Sequence, residues 1–85
     1  MPFSKVIIKQ PKLTFTKLSK KWWGLADKEQ FAIYLHNRIP KRMLHEIYIH
    51  ETLHCILPDL TEKQITDLAG LLADGVWNCG YRKVK

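Results

Sequence analysis

Between Pro40 and Pro58 the chain runs for 17 residues, Lys41 to Leu57, without a glycine or a proline. Nothing inside that stretch interrupts a helix, and the prolines at its two ends mark where one begins and stops. A helix of this length is roughly 25 Å long. Its apolar residues, Leu44, Ile47, Ile49, Leu53, Ile56 and Leu57, cover more than one stripe of the surface. Such a helix has no purely solvent-facing solution and requires cover on two sides, a sheet and a second element.

The flanking segments supply both. After Pro58, Thr61 is a natural N-cap and Glu62 favours a first helical turn, while Ile65, Leu68, Ala69, Leu72 and Val76 keep helical spacing until Gly80. A second helix is expected over 61–79. Before Pro40, Phe31, Ile33 and Leu35 alternate with Ala32 and Tyr34, and the polar run Asp27 to Gln30 separates them from Trp22-Trp23-Gly24-Leu25-Ala26, the pattern of a hairpin. Val6-Ile7-Ile8 and the Leu13, Phe15 alternation each suit a further short strand. The expectation is one α+β domain over 1–85: basic N-terminal strands or arm (1–21), a small antiparallel sheet, and two packed helices at 41–57 and 61–79.

Charge is placed unevenly. The chain carries 14 Lys and Arg against 8 Asp and Glu, a net +6, and Lys5, Lys9, Lys12, Lys17, Lys20 and Lys21 all precede the first acid, Asp27. A lysine arm without arginine suits attraction to phosphates more than reading of bases. Lys17, Lys20 and Lys21, beside Trp22 and Trp23, are therefore the candidate nucleic-acid contacts. The longest apolar run, Phe31 to Leu35, falls far short of the roughly 20 residues that cross a bilayer, so no membrane partner is expected. Cys55 and Cys79 do not form a disulfide framework, which points to free thiols and a cytoplasmic setting.

The chemistry is concentrated in His50-Glu51-Thr52-Leu53-His54, the pattern HExxH. Four residues advance a helix by about 400°, so the two imidazoles lie about 40° apart, one turn above the other, and can close on one tetrahedral ion. Glu51 points to one side of them, where a carboxylate can take a proton from a metal-activated water and pass it to a leaving amine. The surrounding Tyr48, Ile49, Thr52, Leu53, Cys55 and Ile56 are uncharged. Two histidines and a glutamate there are costly to bury without a partner, which a divalent cation provides. His45 lies about 140° from His50 and cannot join that face. His36 reads as surface, Cys55 as packing, Tyr34 and Tyr48 as packing residues able to reach an oxyanion, and the tryptophans as core or groove aromatics.

With these residues the chain resembles the zincins, the HExxH zinc metallopeptidases, and more closely the small SprT-like metallopeptidases encoded by phages and prophages. The resemblance runs from about Trp23 to Arg82 and rests on Trp23-Gly24, the hairpin ending at Leu35, Ile49 to His54, Pro58-Asp59-Leu60-Thr61-Glu62, and Leu72 through Trp77 to Gly80-Tyr81-Arg82. It implies Zn2+ on His50 and His54, Glu51 as general base in peptide-bond hydrolysis, a strand beside the site that holds a peptide or protein substrate, and a phage protein in the cytoplasm of a bacterial host. No His follows His54 and no Gly lies between His54 and Gly70, so the third ligand is acidic or absent. Glu62 looks like the equivalent glutamate of the small phage proteins, Asp59 is the alternative, and Asp67 and Asp74 stand behind them. A non-catalytic, zinc-stabilised protein that binds a host protein or nucleic acid is the rival reading.

Overall fold

The computed structural model describes residues 6–19 and 21–79. Its elements are β1 (Lys12–Thr16), β2 (Gly24–Asp27), β3 (Ala32–His36), α1 (Lys41–Ile56) and α2 (Glu62–Asn78), a three-stranded sheet followed by two helices in an α+β arrangement. Both helices lie where the sequence placed them, to within a residue at each described end. Pro40 precedes α1 in an extended conformation, and the Leu57 N–H closes its last turn on the Leu53 carbonyl at 2.9 Å. Thr61 caps α2 through a reciprocal pair of bonds: its hydroxyl accepts from the Gln64 N–H at 3.1 Å, and the Gln64 side-chain oxygen accepts from the Thr61 N–H at 2.9 Å. Gly80, expected to end the helix, lies outside the described residues.

As the apolar circumference of α1 requires, the helix is covered on two sides. One side packs on β2 and β3, where Ile33 and Leu35 are fully buried. The other packs on α2, where Leu53, Ile65 and Ala69 form a cluster with Ile49, Ile56, Leu57, Leu60 and Leu68 around them. The face α2 presents differs from the expected one. Ile65, Ala69 and Ala73, four residues apart, are its buried positions, while Leu72 and Val76 are exposed. One ridge of i, i+4 residues is enough to seat a helix against a single neighbour.

The sheet departs from the antiparallel expectation. Its order is β1-β3-β2: β2 and β3 form the expected antiparallel hairpin, with Gly24 opposite Leu35 and Asp27 opposite Ala32, but β1 runs parallel to β3, with Lys12 beside Ala32 and Thr16 beside His36. The physical reason is that β3 is the most apolar strand and gains most from being central, with both edges paired. The seven-residue linker 17–23 then has to pass only across the end of β3 to reach β2, two strand spacings or about 10 Å away. The hairpin turn closes with the Gln30 N–H on the Asp27 carboxylate at 3.1 Å and Phe31 at φ 52°. Val6-Ile7-Ile8 forms no strand either. The Ile7 N–H donates to the Ile56 carbonyl at 2.9 Å and the Gln10 side-chain amide to the Tyr48 hydroxyl at 3.1 Å, so this segment is tied to α1 and not to the sheet.

Candidate metal centre

Within α1 the four-residue spacing sets His50 and His54 side by side, their ring centres 4.9 Å apart and their Nε2 atoms 3.2 Å apart. The turn at Pro58 then returns the chain so that Glu62, first residue of α2, meets both rings. Its Oε2 lies 3.0 Å from His50 Nε2 and its Oε1 2.8 Å from His54 Nε2. The Thr61 cap fixes this meeting, because it sets where α2 begins. His50, His54 and Glu62 are the group of potential metal ligands among the described residues, with donor atoms all within 4.8 Å of one another. Tetrahedral zinc with bonds of about 2.05 Å separates its ligands by about 3.3 Å. The two Nε2 atoms, 3.2 Å apart, match one edge of such a tetrahedron, Glu62 sets one oxygen against each ring at 2.8 to 3.0 Å, and the donor set of two imidazoles and a carboxylate suits a divalent ion. The residues present therefore fit a metal.

Of the acidic candidates, Glu62 is the one gathered into this group, and Asp59 is not. Asp59 is exposed in the interhelical turn, Asp67 pairs with Lys63 at 3.0 Å, and Asp74 is exposed on α2.

Glu51 sits beside the histidines, half-buried between α1 and β2. Gly24 makes that contact possible: a Cβ there would lie 3.0 Å from the Glu51 Cγ and 2.8 Å from the Ile47 Cγ2, so only glycine lets the strand come this close. Burial pushes the Glu51 carboxyl above the usual carboxylate range; His50 opposes the rise and the Glu62 charge adds to it. Burial also holds His54 below the ordinary imidazole range, with Glu62 pulling the other way and His50 and Lys28 reinforcing the drop. His54 thereby favours the neutral form that can ligate a cation.

These four side chains line a cleft of about 380 Å³ whose wall is the Gly24-Leu25-Ala26 backbone segment of β2, with Trp22 and Lys28 also lining it. β2 is an edge strand and lacks a second strand neighbour among the described residues. Lys28 is a residue that sequence reasoning missed. Its ammonium donates to the Pro58 carbonyl at 3.3 Å, tying the hairpin turn to the turn that delivers Glu62. No periodicity announces such a residue, because the tertiary fold alone brings the two turns together.

The remaining candidates fall elsewhere. Cys55 is buried against the Ala32 carbonyl at 3.8 Å, as packing. His45 stacks on Trp77 with rings 5.9 Å apart and nearly parallel. Tyr48 is engaged by Gln10, and Tyr34 lines a different depression. Of the lysines, Lys17 lines a second pocket together with Trp23 and His36, Lys21 is exposed, and Lys20 lies outside the described residues. No helix among the described residues is long and apolar enough to cross a membrane. The chain matches no protein-family model, no curated protein sequence and no solved structure.

Proposed function

We propose that the chain is a zinc-dependent peptidase in which His50, His54 and Glu62 hold the ion and Glu51 is the general base. The observation that carries this reading is the Glu62 carboxylate with one oxygen 3.0 Å from His50 Nε2 and the other 2.8 Å from His54 Nε2, the two Nε2 atoms 3.2 Å apart, and the half-buried Glu51 carboxylate beside them in one cleft. A divalent ion held there supplies Lewis acidity, polarising a carbonyl and making water a stronger acid. Glu51, with its raised proton affinity, is suited to take the proton from the attacking water and hand it to the departing amine. The open edge of β2 offers N–H and C=O groups to an extended peptide, which would place a carbonyl above Glu51 and the histidines. Lys28, at the rim, offers a positive charge to the oxygen of that carbonyl or to a nearby chain terminus.

The metal has a second consequence. The described core contains eight buried hydrophobic residues, three of them alanine, and a ligand set drawn from α1 and α2 would clamp the helices together. A purely structural ion, in a domain that binds another protein, would give the same clamp. Glu51 separates the two readings, since it holds no place among the ligands. Elemental mass spectrometry on protein purified without chelator should find one zinc per chain in wild type and in Glu51→Gln, and none in His50→Ala. A mixed peptide library should be cleaved by wild type and not by Glu51→Gln. Cleavage surviving in Glu51→Gln would sink the catalytic assignment, and absence of metal from wild type would sink both readings. A reducing cytoplasm, as in a bacterial host, is the location we assign on the strength of the free Cys55 and Cys79 thiols.

A further inference from the structure

At the end of β3, a pocket of about 520 Å³ is lined by Lys17, Leu18, Trp23, His36, Asn37 and Arg38. We propose that this pocket binds an unpaired nucleotide of a single-stranded nucleic acid, its base on Trp23 and its backbone phosphates on Lys17 and Arg38.

The pocket shares no residue with the metal cleft, and its volume lies within the roughly 300 to 1,000 Å³ of small-ligand sites. It contains two cations and no carboxylate, and neither cation is in an ion pair among the described residues. An anion is therefore the complementary ligand. The aromatic component narrows the class. Trp23 is 37% exposed, and His36 packs on it edgewise, ring centres 5.5 Å apart at 63°, a contact that covers at most one face of the indole. The His36 ring is itself fixed, its Nδ1 accepting the Arg38 N–H at 3.1 Å and so leaving Nε2 as the donor. A held ring with an accessible face beside unpaired cations is the combination that stacks a base and neutralises its phosphate.

The strand, and not a free nucleotide, is favoured by charge beyond the pocket. Among the described residues, Lys17, Lys21, Arg38, Lys41 and Arg42 are exposed on the segments that flank the pocket, which carry no acid, more positive charge than one phosphate can use. α1 also begins in this region with no acidic residue in its first turn and no side-chain cap, which adds the positive end of its dipole. A tryptophan face lining a pocket stacks on an unstacked base and not on one inside a duplex.

The test is fluorescence anisotropy of a labelled 20-residue oligothymidylate titrated with the full chain. Saturable binding is expected at low salt, with the 20-base-pair duplex at least tenfold weaker. Trp23→Ala should weaken binding by between about five- and a hundredfold, the range for loss of one stacked base. Lys17→Ala with Arg38→Ala should reduce the slope of log affinity against log salt by about 1.4, the value for two phosphate contacts on a single strand. Lys63→Ala, which removes an exposed lysine of α2 that pairs with Asp67 and does not line the pocket, should change affinity less than twofold. Because Lys17 and Arg38 are surface side chains, that double variant remains informative if Trp23→Ala fails to fold. The proposal is overturned by equal affinity for duplex, by equal losses in Lys63→Ala and the double variant, or by a free mononucleotide that competes as strongly as the oligomer. None of these readouts depends on metal.

Discussion

The metal cleft and the basic pocket meet at adjacent residues, Trp22 lining one and Trp23 the other, yet they are assembled in opposite ways. Three of the four central groups of the cleft, His50, Glu51 and His54, come from five consecutive residues of one helix, and the fourth, Glu62, follows after a single turn. The pocket draws on residues that follow β1, residues that precede β2 and the end of β3 with the two residues after it, brought together only by strand order. A helix is a ruler, so chemistry written along it survives in the sequence as spacing. A sheet end is a meeting place, and its chemistry survives there only as composition.

The largest separation of the two regions should come from pH. Metal binding requires neutral imidazoles, so affinity for zinc should fall as pH drops, by up to about a hundredfold per unit once both His50 and His54 are protonated. Burial holds His54 below its ordinary range, so its share of the loss sets in at lower pH than for a free imidazole. Zinc retention measured across pH 7.5 to 4.5 checks the sign, and a retention that rose on acidification would refute the ligand set.

Next in size is the effect of the metal on stability. Zinc at a free concentration of 100 times its dissociation constant should stabilise the folded state by about 2.7 kcal/mol, read as a higher Tm that chelator reverses. A chain whose Tm ignored both zinc and chelator would have no clamp between α1 and α2. Gly24→Ala should cost about 1 to 3 kcal/mol, because the added methyl collides with Ile47 and the stem of Glu51. Thermal unfolding measures that loss, and peptide cleavage should fall further than stability does, since Glu51 is displaced. If Gly24→Ala were neutral, the close approach of β2 to α1 would be wrong. The smallest effect is that of Thr61→Ala, about 1 kcal/mol for a lost cap. Its value lies in the comparison, because fraying the start of α2 should loosen Glu62 and weaken zinc binding while the basic pocket, built on other elements, holds its affinity.

Much of the cleft could be read before any coordinates. The helix bounds followed from Pro40, Pro58 and Thr61, and the shared face of His50 and His54 followed from helical period. Glu62 was one of two acidic candidates just past the turn at Pro58, preferred to Asp59 by resemblance, because spacing alone does not say which of them the turn brings to the histidines. Gly24 and Lys28 were not legible as parts of the site, since their roles depend on which turn lies against which. The parallel pairing of β1 escaped for the same reason: alternation identifies a strand but carries no information on its neighbour or direction. Among the lysines, the arm's charge was visible, but His36 and Arg38 joined it only through the crossing of the linker over β3.

That crossing has a kinetic consequence. α1 packs on β2 and β3 but not on β1, and Leu13 and Phe15 stay 39% and 51% exposed, so β1 is held chiefly by its one ladder to β3. Elements with so little apolar cover open at the lowest free energies. In native-state hydrogen exchange the amides of β1 should therefore exchange ahead of those of α1 and the hairpin. Each such opening withdraws Lys17 and dissolves the basic pocket while His50, His54 and Glu62 stay together, so a bound oligonucleotide should be visible as slowed exchange along β1 alone.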